Sequence, residues 1–408
     1  MPVNFERIPP RVAVPPPPRA SVALWAGLFF IITCSGAGLA TVLWADSGRD
    51  STLWFWYCAV IFPMLVWGLV LCIYRGLIHA RRAEAMAINR VSEKLEQAQH
   101  QQASLPLHVM GYAWCLPLAG DVSAERVLSG NIKMSARTSA AYPDIEVRAH
   151  WFDVPGRRFY SGNVLLEHER HQALCRWLVP QLVGRVRSGL AELPARTTLN
   201  VDVYVHPLVD PTEVAAQVED LILAEAPHLQ VGVRTSAQNA SLFLVDAWHD
   251  QSKPQHARLL VSLQMQRAIS HVLPDGAVEA AVAILVAHPD NLTKRAAPLH
   301  LHRPSKGGVD HHQEVLDLAL RWSGVTAAQV QTIWGDNVPT EIIRPIPPVA
   351  EATPRTDWVD VKTTVGDCGM AGSWLAVALA LDHARQSGNP QLVVSRSATE
   401  LIAIGCGV

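Results

Sequence analysis

Two uncharged apolar runs close to the N-terminus constrain this chain most. Residues 21–44 read SVALWAGLFFIITCSGAGLATVLW, and residues 52–74 read TLWFWYCAVIFPMLVWGLVLCIY. Each is long enough to cross a hydrocarbon core of about 30 Å as a helix. Pro63 lies inside the second run and is expected to kink that helix rather than end it. Trp44, Trp54 and Trp56 gather at the short link, where interfacial aromatics belong. A cleaved signal peptide is the alternative for the first run, but the run is too long for one and a second follows at once. Arg7, Arg11 and Arg19 precede the first run; Arg75, His79, Arg81 and Arg82 follow the second. The positive-inside rule then puts both flanks in the cytoplasm and the link ADSGRDS outside. The expectation is a multi-pass protein of the inner (plasma) membrane with two spans, both termini cytoplasmic.

The domain organisation follows from this. A proline-rich cytoplasmic tail occupies 1–20, and its PPRVAVPPPP segment reads as an extended spacer. Two transmembrane helices occupy 21–74. A helical stalk rich in Ala, Glu, Gln and Arg occupies 75–103. Ala80, Ala83, Ala87 and Val91 give the stalk a weak apolar stripe, through which it could self-associate. Residues 104–198 form a first α/β part, 199–345 a central α/β domain and 346–408 a C-terminal α/β segment.

Within the body, LPLHVMGYAWCLPL (105–118) reads as one strand or two. Residues 168–194 have helical periodicity through Leu174, Leu178, Leu182 and Val186, with Pro180 as a break or kink. LNVDVYVHPL alternates as a strand does. The helix after it starts with Asp210 as N-cap, Pro211 at the first position and Glu213 three residues after the cap. VEAAVAILVAH (278–288) reads as a strand, with a helix left open by its alanines. Residues 309–322 read as a helix, and 339–355, with five prolines, as a connection. Interleaved strands and helices signal α/β layers.

Charge and cysteines exclude several functions. The net charge is -2, with no lysine-rich block, so nucleic acid is not the main partner. Of seven cysteines, Cys34, Cys58 and Cys72 fall in the apolar runs. Cys115, Cys175, Cys368 and Cys406 are far apart, which fits neither a disulfide scaffold nor a cysteine zinc site. His300 and His302 alternate, and His311 and His312 follow Asp310, but adjacent histidines without fixed geometry are weak evidence for a metal. No Walker spacing, nucleophile elbow or HExxH is present.

The last fifty residues carry the clearest pattern. TDWVDVKTTVGDCGMAGS is a strand with a glycine-bearing turn, SWLAVALALDHARQSG is an apolar helix closed by Gly388, and PQLVVSRSA and TELIAIGCG are a terminal hairpin. This block resembles the C-terminal quarter of the thiolase and ketoacyl synthase fold. Those synthases carry an Asn-Ile-Gly-His turn before a small-residue helix. Here the run is Thr364-Val365-Gly366-Asp367, followed by Cys368, Gly369, Met370, Ala371 and Gly372, so Asp367 stands where the synthase histidine does. No turn like that of the synthase cysteine is found in residues 105–300. The whole layout, with two spans, a stalk, an α/β body and the Gly-Cys-Gly end, is similar to the bacterial type VI lipase adaptor proteins. That resemblance implies a non-enzymatic, protein-binding adaptor that loads a lipase effector onto the type VI secretion spike. The alternative is a membrane-tethered thiolase-like acyl-transfer or condensing enzyme.

The fold class expected is therefore α/β, a two-helix transmembrane hairpin followed by a thiolase-like layered body. Cys368 precedes a helix whose positive end would favour a thiolate, but Asp367 opposes it and His383 is too far along the helix to act as its base. Cys368 and Cys406 are read as buried structural residues, and Gly366, Gly369 and Gly372 as tight packing rather than an anion cradle. No residue is assigned a catalytic, cofactor-binding or metal role, and no cofactor is expected.

Overall fold

The computed structural model describes residues 3, 5–16, 21–45, 52–118, 120, 122–132, 134–238, 240–291, 299–338, 357–397 and 399–407. Most of the link 45–51 and all of the proline-rich connection 339–355 lie outside them. The chain divides into two compact units, Asn4–Gln99 and a body of Met1–Val3 with His100–Val408.

In the first unit, helix α1 (Val22–Ala45) is followed by a short helical turn (Thr52–Trp56), a π-helical turn (Tyr57–Ile61) and helix α2 (Phe62–Ala103). The π turn sits just ahead of Pro63, which cannot donate to the preceding turn; a locally widened helix absorbs that loss. From Phe62 onward the second apolar run and the stalk are thus one 42-residue helix. Gly36 of α1 makes room for Pro63: a Cβ at Gly36 would lie 2.2 Å from the proline ring. The Trp67 indole donates to the Trp25 carbonyl at 3.1 Å. The N-terminal segment runs along α2, with Asn89 bonded to both the amide and the carbonyl of Val12 (2.8 and 2.9 Å) and Ser92 donating to the Pro9 carbonyl. Both long helices are apolar enough to cross a membrane by length and composition, the criterion that a buried core helix or a signal sequence also meets.

The body is built twice on one plan. Its first half runs β1 (Leu107–Cys115), α3 (Val164–Glu192), β2 (Thr198–Tyr204), α4 (Pro211–Glu225), β3 (Gln230–Ser236), α5 (Leu244–Gln251), β4 (His256–Gln264) and β5 (Ala280–Ala287). The second half runs β6 (Leu299–Leu301), β7 (Ser305–Gly308), α6 (His312–Ser323), β8 (Thr332–Asp336), β9 (Asp357–Asp360), α7 (Gly372–Ser387), β10 (Gln391–Ser397) and β11 (Glu400–Gly407). Along the sheet the first half reads β3-β2-β4-β5-β1 and the second β9-β8-β10-β11 with β6 and β7. Both follow the order third, second, fourth, fifth, first. In both, the second strand is parallel to its two neighbours and the fifth is antiparallel to its own.

Among the described residues, three of four apolar clusters lie between five layers. Helices α3 and α4 cover one face of the first half-sheet, α6 covers the outer face of the second, and α7 is buried between the halves. Trp248 of α5 stacks on Trp374 of α7, 5.6 Å between centroids. Helix α7 reads apolar all round because both of its sides face a sheet, and it ends on Gly388 in the left-handed conformation (φ 71°).

Pro180 does not break α3, which runs through it. The Arg176 carbonyl that a proline leaves without its helical donor accepts instead from Gln217 Nε2 of α4 at 3.3 Å. Asp210 caps α4 as expected, at 2.9 Å from the Thr212 amide, but Glu213 turns to Arg176 rather than closing a capping box. The 278–288 segment is a strand, buried along its length. Gly189 brings α3 onto β1: a Cβ there would lie 2.3 Å from the Met110 carbonyl oxygen. Because backbone cannot yield as a side chain can, Gly189→Ala is expected to cost about 2–3 kcal/mol. The urea midpoint checks this, and an unchanged midpoint would show that the helix seat is adaptable.

Candidate functional site

Strand β8 carries TIWGD, four buried residues and then Asp336 at its carboxyl end. Its successor β9 lies on one side and β10 on the other. The strand order therefore reverses at β8, and the carboxyl ends of strands at such a point form the natural crevice of an open α/β sheet. The register sets Asp336 opposite Ser395 of β10 and Gly335 opposite Asp360 of β9. Directly after Asp336 the backbone turns left-handed at Asn337 (φ 58°), a conformation that non-glycine residues hold at a cost of order 1–3 kcal/mol.

The turn between β9 and α7 completes the site. Asp360 caps a single helical turn by accepting from the Thr363 amide at 3.2 Å. Lys362 on that turn pairs with Asp367 at 2.9 Å and reaches Asn337 Oδ1 at 3.4 Å. Asp367 in turn accepts from the Gly369 amide at 3.0 Å. Gly366 (φ 121°) and Gly369 (φ 48°) need left-handed backbone, and a Cβ on either would run into Val278, Met134 or Gln264. At Gly372 a Cβ would lie 2.8 Å from Asp336 Oδ1. This glycine lets the first turn of α7 come down onto the carboxylate.

The electrostatics separate these acids. Burial pushes the Asp336 carboxyl up to about 6, and the negative fields of Asp360 and Asp367 add to it; the Ser395 hydroxyl and Lys362 oppose. Burial works against Asp367 too, but its bonds to Lys362 and the Gly369 amide hold it below its ordinary value. Lys362 is raised, first by its hydrogen bond to Asp367. The result is one carboxyl poised to exchange protons near neutrality beside an ion pair that stays charged.

The four cysteines of the body are buried and lie on separate elements. Cys368 is fully buried in the turn before α7; burial, then Asp336 and Asp367, push its thiol far up. Cys175 lies in the α3 core, pushed up to about 12, and Cys115 and Cys406 are raised by burial as well. Among the described residues no histidine belongs to the groups that shift the Cys368 or Cys175 thiol. Helix α5 holds in the first half the place that α7 holds in the second, and it is entered through Ser241, Leu242 and Phe243, with no thiol. His383 bonds Gln391 at 3.0 Å, and His311 pairs with Glu314 on the surface. Among the described residues no group of three or more His, Cys, Asp and Glu is arranged to hold a metal ion.

From the sequence, Asp367 stands out only at the position of the synthase histidine and beside Cys368, and Asp336, Asp360 and Lys362 are not singled out. The signal for Asp336 was present: an acid ending an apolar strand run, followed by Asn-Val-Pro. What made it a site, its approach to Gly372, joins residues 36 positions apart.

No family model and no curated protein matches the chain. Solved structures do. The ishigamide ketosynthase/chain length factor is 14% identical with a TM-score of 0.49, over 74% of this chain and 99% of that one. The ketosynthase from module 6 of the bacillaene synthase of Bacillus subtilis is 9% identical with a TM-score of 0.48, over 74% and 70%. The 3-oxoacyl-[acyl-carrier-protein] synthase III of Aquifex aeolicus is 11% identical with a TM-score of 0.39, over 74% and 100%. At such identities the likeness concerns the fold alone, and the layered α/β body expected from the sequence is present.

These findings correct four expectations. The solved structures similar to this chain are titled as ketosynthases and synthases, and no family model supports the type VI lipase adaptor resemblance. The adaptor function falls with it, together with the type VI secretion and protein-binding descriptions. The assignment as a non-enzyme is corrected on the same ground. The inner-membrane location with both termini cytoplasmic is withdrawn as well, because the two apolar helices meet only a test of length and composition.

Proposed function

We propose that this protein is an acyl-transfer enzyme of thiolase type that acts on acyl thioesters through acid–base chemistry rather than a cysteine nucleophile. The observation that supports the reading is Asp336, a carboxyl raised to about 6 where the strand order reverses, with the first turn of α7 brought onto it by Gly372. The duplicated layered fold supplies the substrate class, and the site supplies the chemistry. As a carboxylate, Asp336 takes the proton from water or from an acceptor hydroxyl or thiol as that group attacks the thioester carbonyl. The carbon–sulfur bond then breaks, and the same carboxyl returns the proton to the departing thiolate. The Lys362–Asp367 pair, neutral overall, keeps the Lys362 ammonium fixed beside the reacting centre.

The test is thiol release from acetyl- to palmitoyl-pantetheine thioesters by the purified full-length chain. Release above the buffer rate that survives alkylation of accessible thiols is the expected result. No release with any chain length overturns the reading.

The proposal extends to the helical hairpin, which inserts in a lipid bilayer. Phe30, Leu53 and Leu69 are 65%, 88% and 61% exposed, an apolar surface that water does not favour. The full-length chain should float with phosphatidylcholine liposomes and resist extraction by salt and carbonate. A chain that stays at the bottom of the gradient sinks the anchor.

A further inference from the structure

Strand β6 is three residues long, yet the whole sheet is joined through it. Strand β1 of the first half pairs with one side of it and β11 of the second half with the other. At this joint the register sets His108 directly opposite His300. Their rings meet edge to face with centroids 4.8 Å apart, and the His302 ring lies 6.2 Å from that of His300. His249 of α5 bonds the backbone of His302. Four ring nitrogens here are buried with no hydrogen-bond partner among the described residues: Nδ1 of His108, His300 and His302, and Nε2 of His249.

The surroundings offer these rings little to pair with. His288, at the end of β5, adds a like field at His108. Arg303 adds another at His249, and its own partners are Asp246 and Asp250 of α5, each at 2.6 Å. The backbone bond to His302 and the Asp250 carboxylate work the other way on His249. Helix α6 contributes the backbone of Trp322 to His302, and the Trp322 indole is committed to His100 Nδ1 at 3.1 Å. An imidazolium must donate from both nitrogens, and among the described residues these ring nitrogens lack the acceptors.

We propose that this joint is an acid-released coupling: it holds the two half-sheets together while the four histidines are neutral and parts them as the histidines charge. Burial first, and neighbouring histidines second, hold His108 and His302 down to about 4, while burial and then Arg303 hold His249 down to about 3. A histidine held below its unfolded value favours the folded joint fully above about pH 6.5, and that contribution is lost as pH falls toward the folded value. Across that window each such histidine favours opening by about tenfold per pH unit.

Amide hydrogen exchange on the full-length chain at pH 7.5 and 5.0, corrected for intrinsic rates, tests this. Protection of 107–109 and 299–301 should fall at least tenfold at pH 5.0, while β8 and β10 keep theirs. The pair His108→Gln with His300→Gln should flatten that pH dependence; if the pair does not fold, His302→Gln alone should reduce its slope. Equal protection at both pH values, an equal loss in every strand, or an undiminished slope in the variants overturns the proposal.

Discussion

Arg170→Ala should cost about 3–5 kcal/mol of stability, the range for a buried ion pair that loses one partner. Arg170, Glu167 and Glu279 are at most 2% exposed. The guanidinium forks onto Glu279 at 2.7 and 3.0 Å, reaches Glu167 at 3.1 Å and donates to the carbonyls of Phe152 and Gln266. Glu279 also accepts from the amides of Phe152 and Gln266, and Glu167 from those of Ile269 and Ser270. Removing the arginine leaves two buried carboxylates, Glu279 held by two amides and Glu167 by two amides, the Ser270 hydroxyl and His171. A neutral set, Glu167→Gln with Arg170→Met and Glu279→Gln, should be far less costly, because it leaves no unpaired charge. Urea unfolding measures both, and an Arg170→Ala variant within 1 kcal/mol of the parent would mean the network does not latch α3 to the β4–β5 connection. There is a pH signature too. Burial raises Glu167, but His171, Arg170 and the Ile269 amide together hold it down to about 2. Its folded value lies below the unfolded one, so its stabilisation is complete above about pH 4.5 and is lost as pH falls toward 2.

Asp336→Asn should lower thioester turnover by about 10²–10⁴, the usual contribution of a positioned acid–base group. The parent's rate should rise through a pH near 6 as the carboxylate forms, and the variant should lose that inflection. Stability moves the other way. Because the folded value is raised above the unfolded one, stability falls as pH rises from about 4 to about 6 and stays lowered above that. The amide removes that burden, and after discount for partial exposure the gain at pH 7.5 is about 1–2 kcal/mol. A variant that is more stable and less active separates catalysis from scaffolding. A variant that keeps both the rate and the inflection removes Asp336 from the mechanism.

Much of the fold was legible because local chemistry and tertiary packing agree. Alternating Val201 and Val203 gave β2, Asp210 and Pro211 gave the start of α4, and Gly388 gave the end of α7. Pro180 misled because its remedy, Gln217, sits on another helix. The duplication was not legible at all, since strand order is a property of pairing and the two halves share no motif. The site failed for the same reason. Asp336, Lys362 and Asp367 are ordinary surface residue types in sequence, and their special character comes from Gly372 and from register. The adaptor reading came from layout, which many unrelated chains can share.

The pairing of β1 has a consequence for how the protein is made. Its residues from His108 to Cys115 lie opposite Ala287 to Ala281, roughly 170 positions later in the chain. At about 5–20 residues per second, a ribosome needs about 9–35 s to supply that partner. For that interval an apolar strand, already synthesised and directly behind a 42-residue helix, has no place in any sheet. Nascent chains arrested before residue 280 should therefore be the species that chaperones hold and proteases cut.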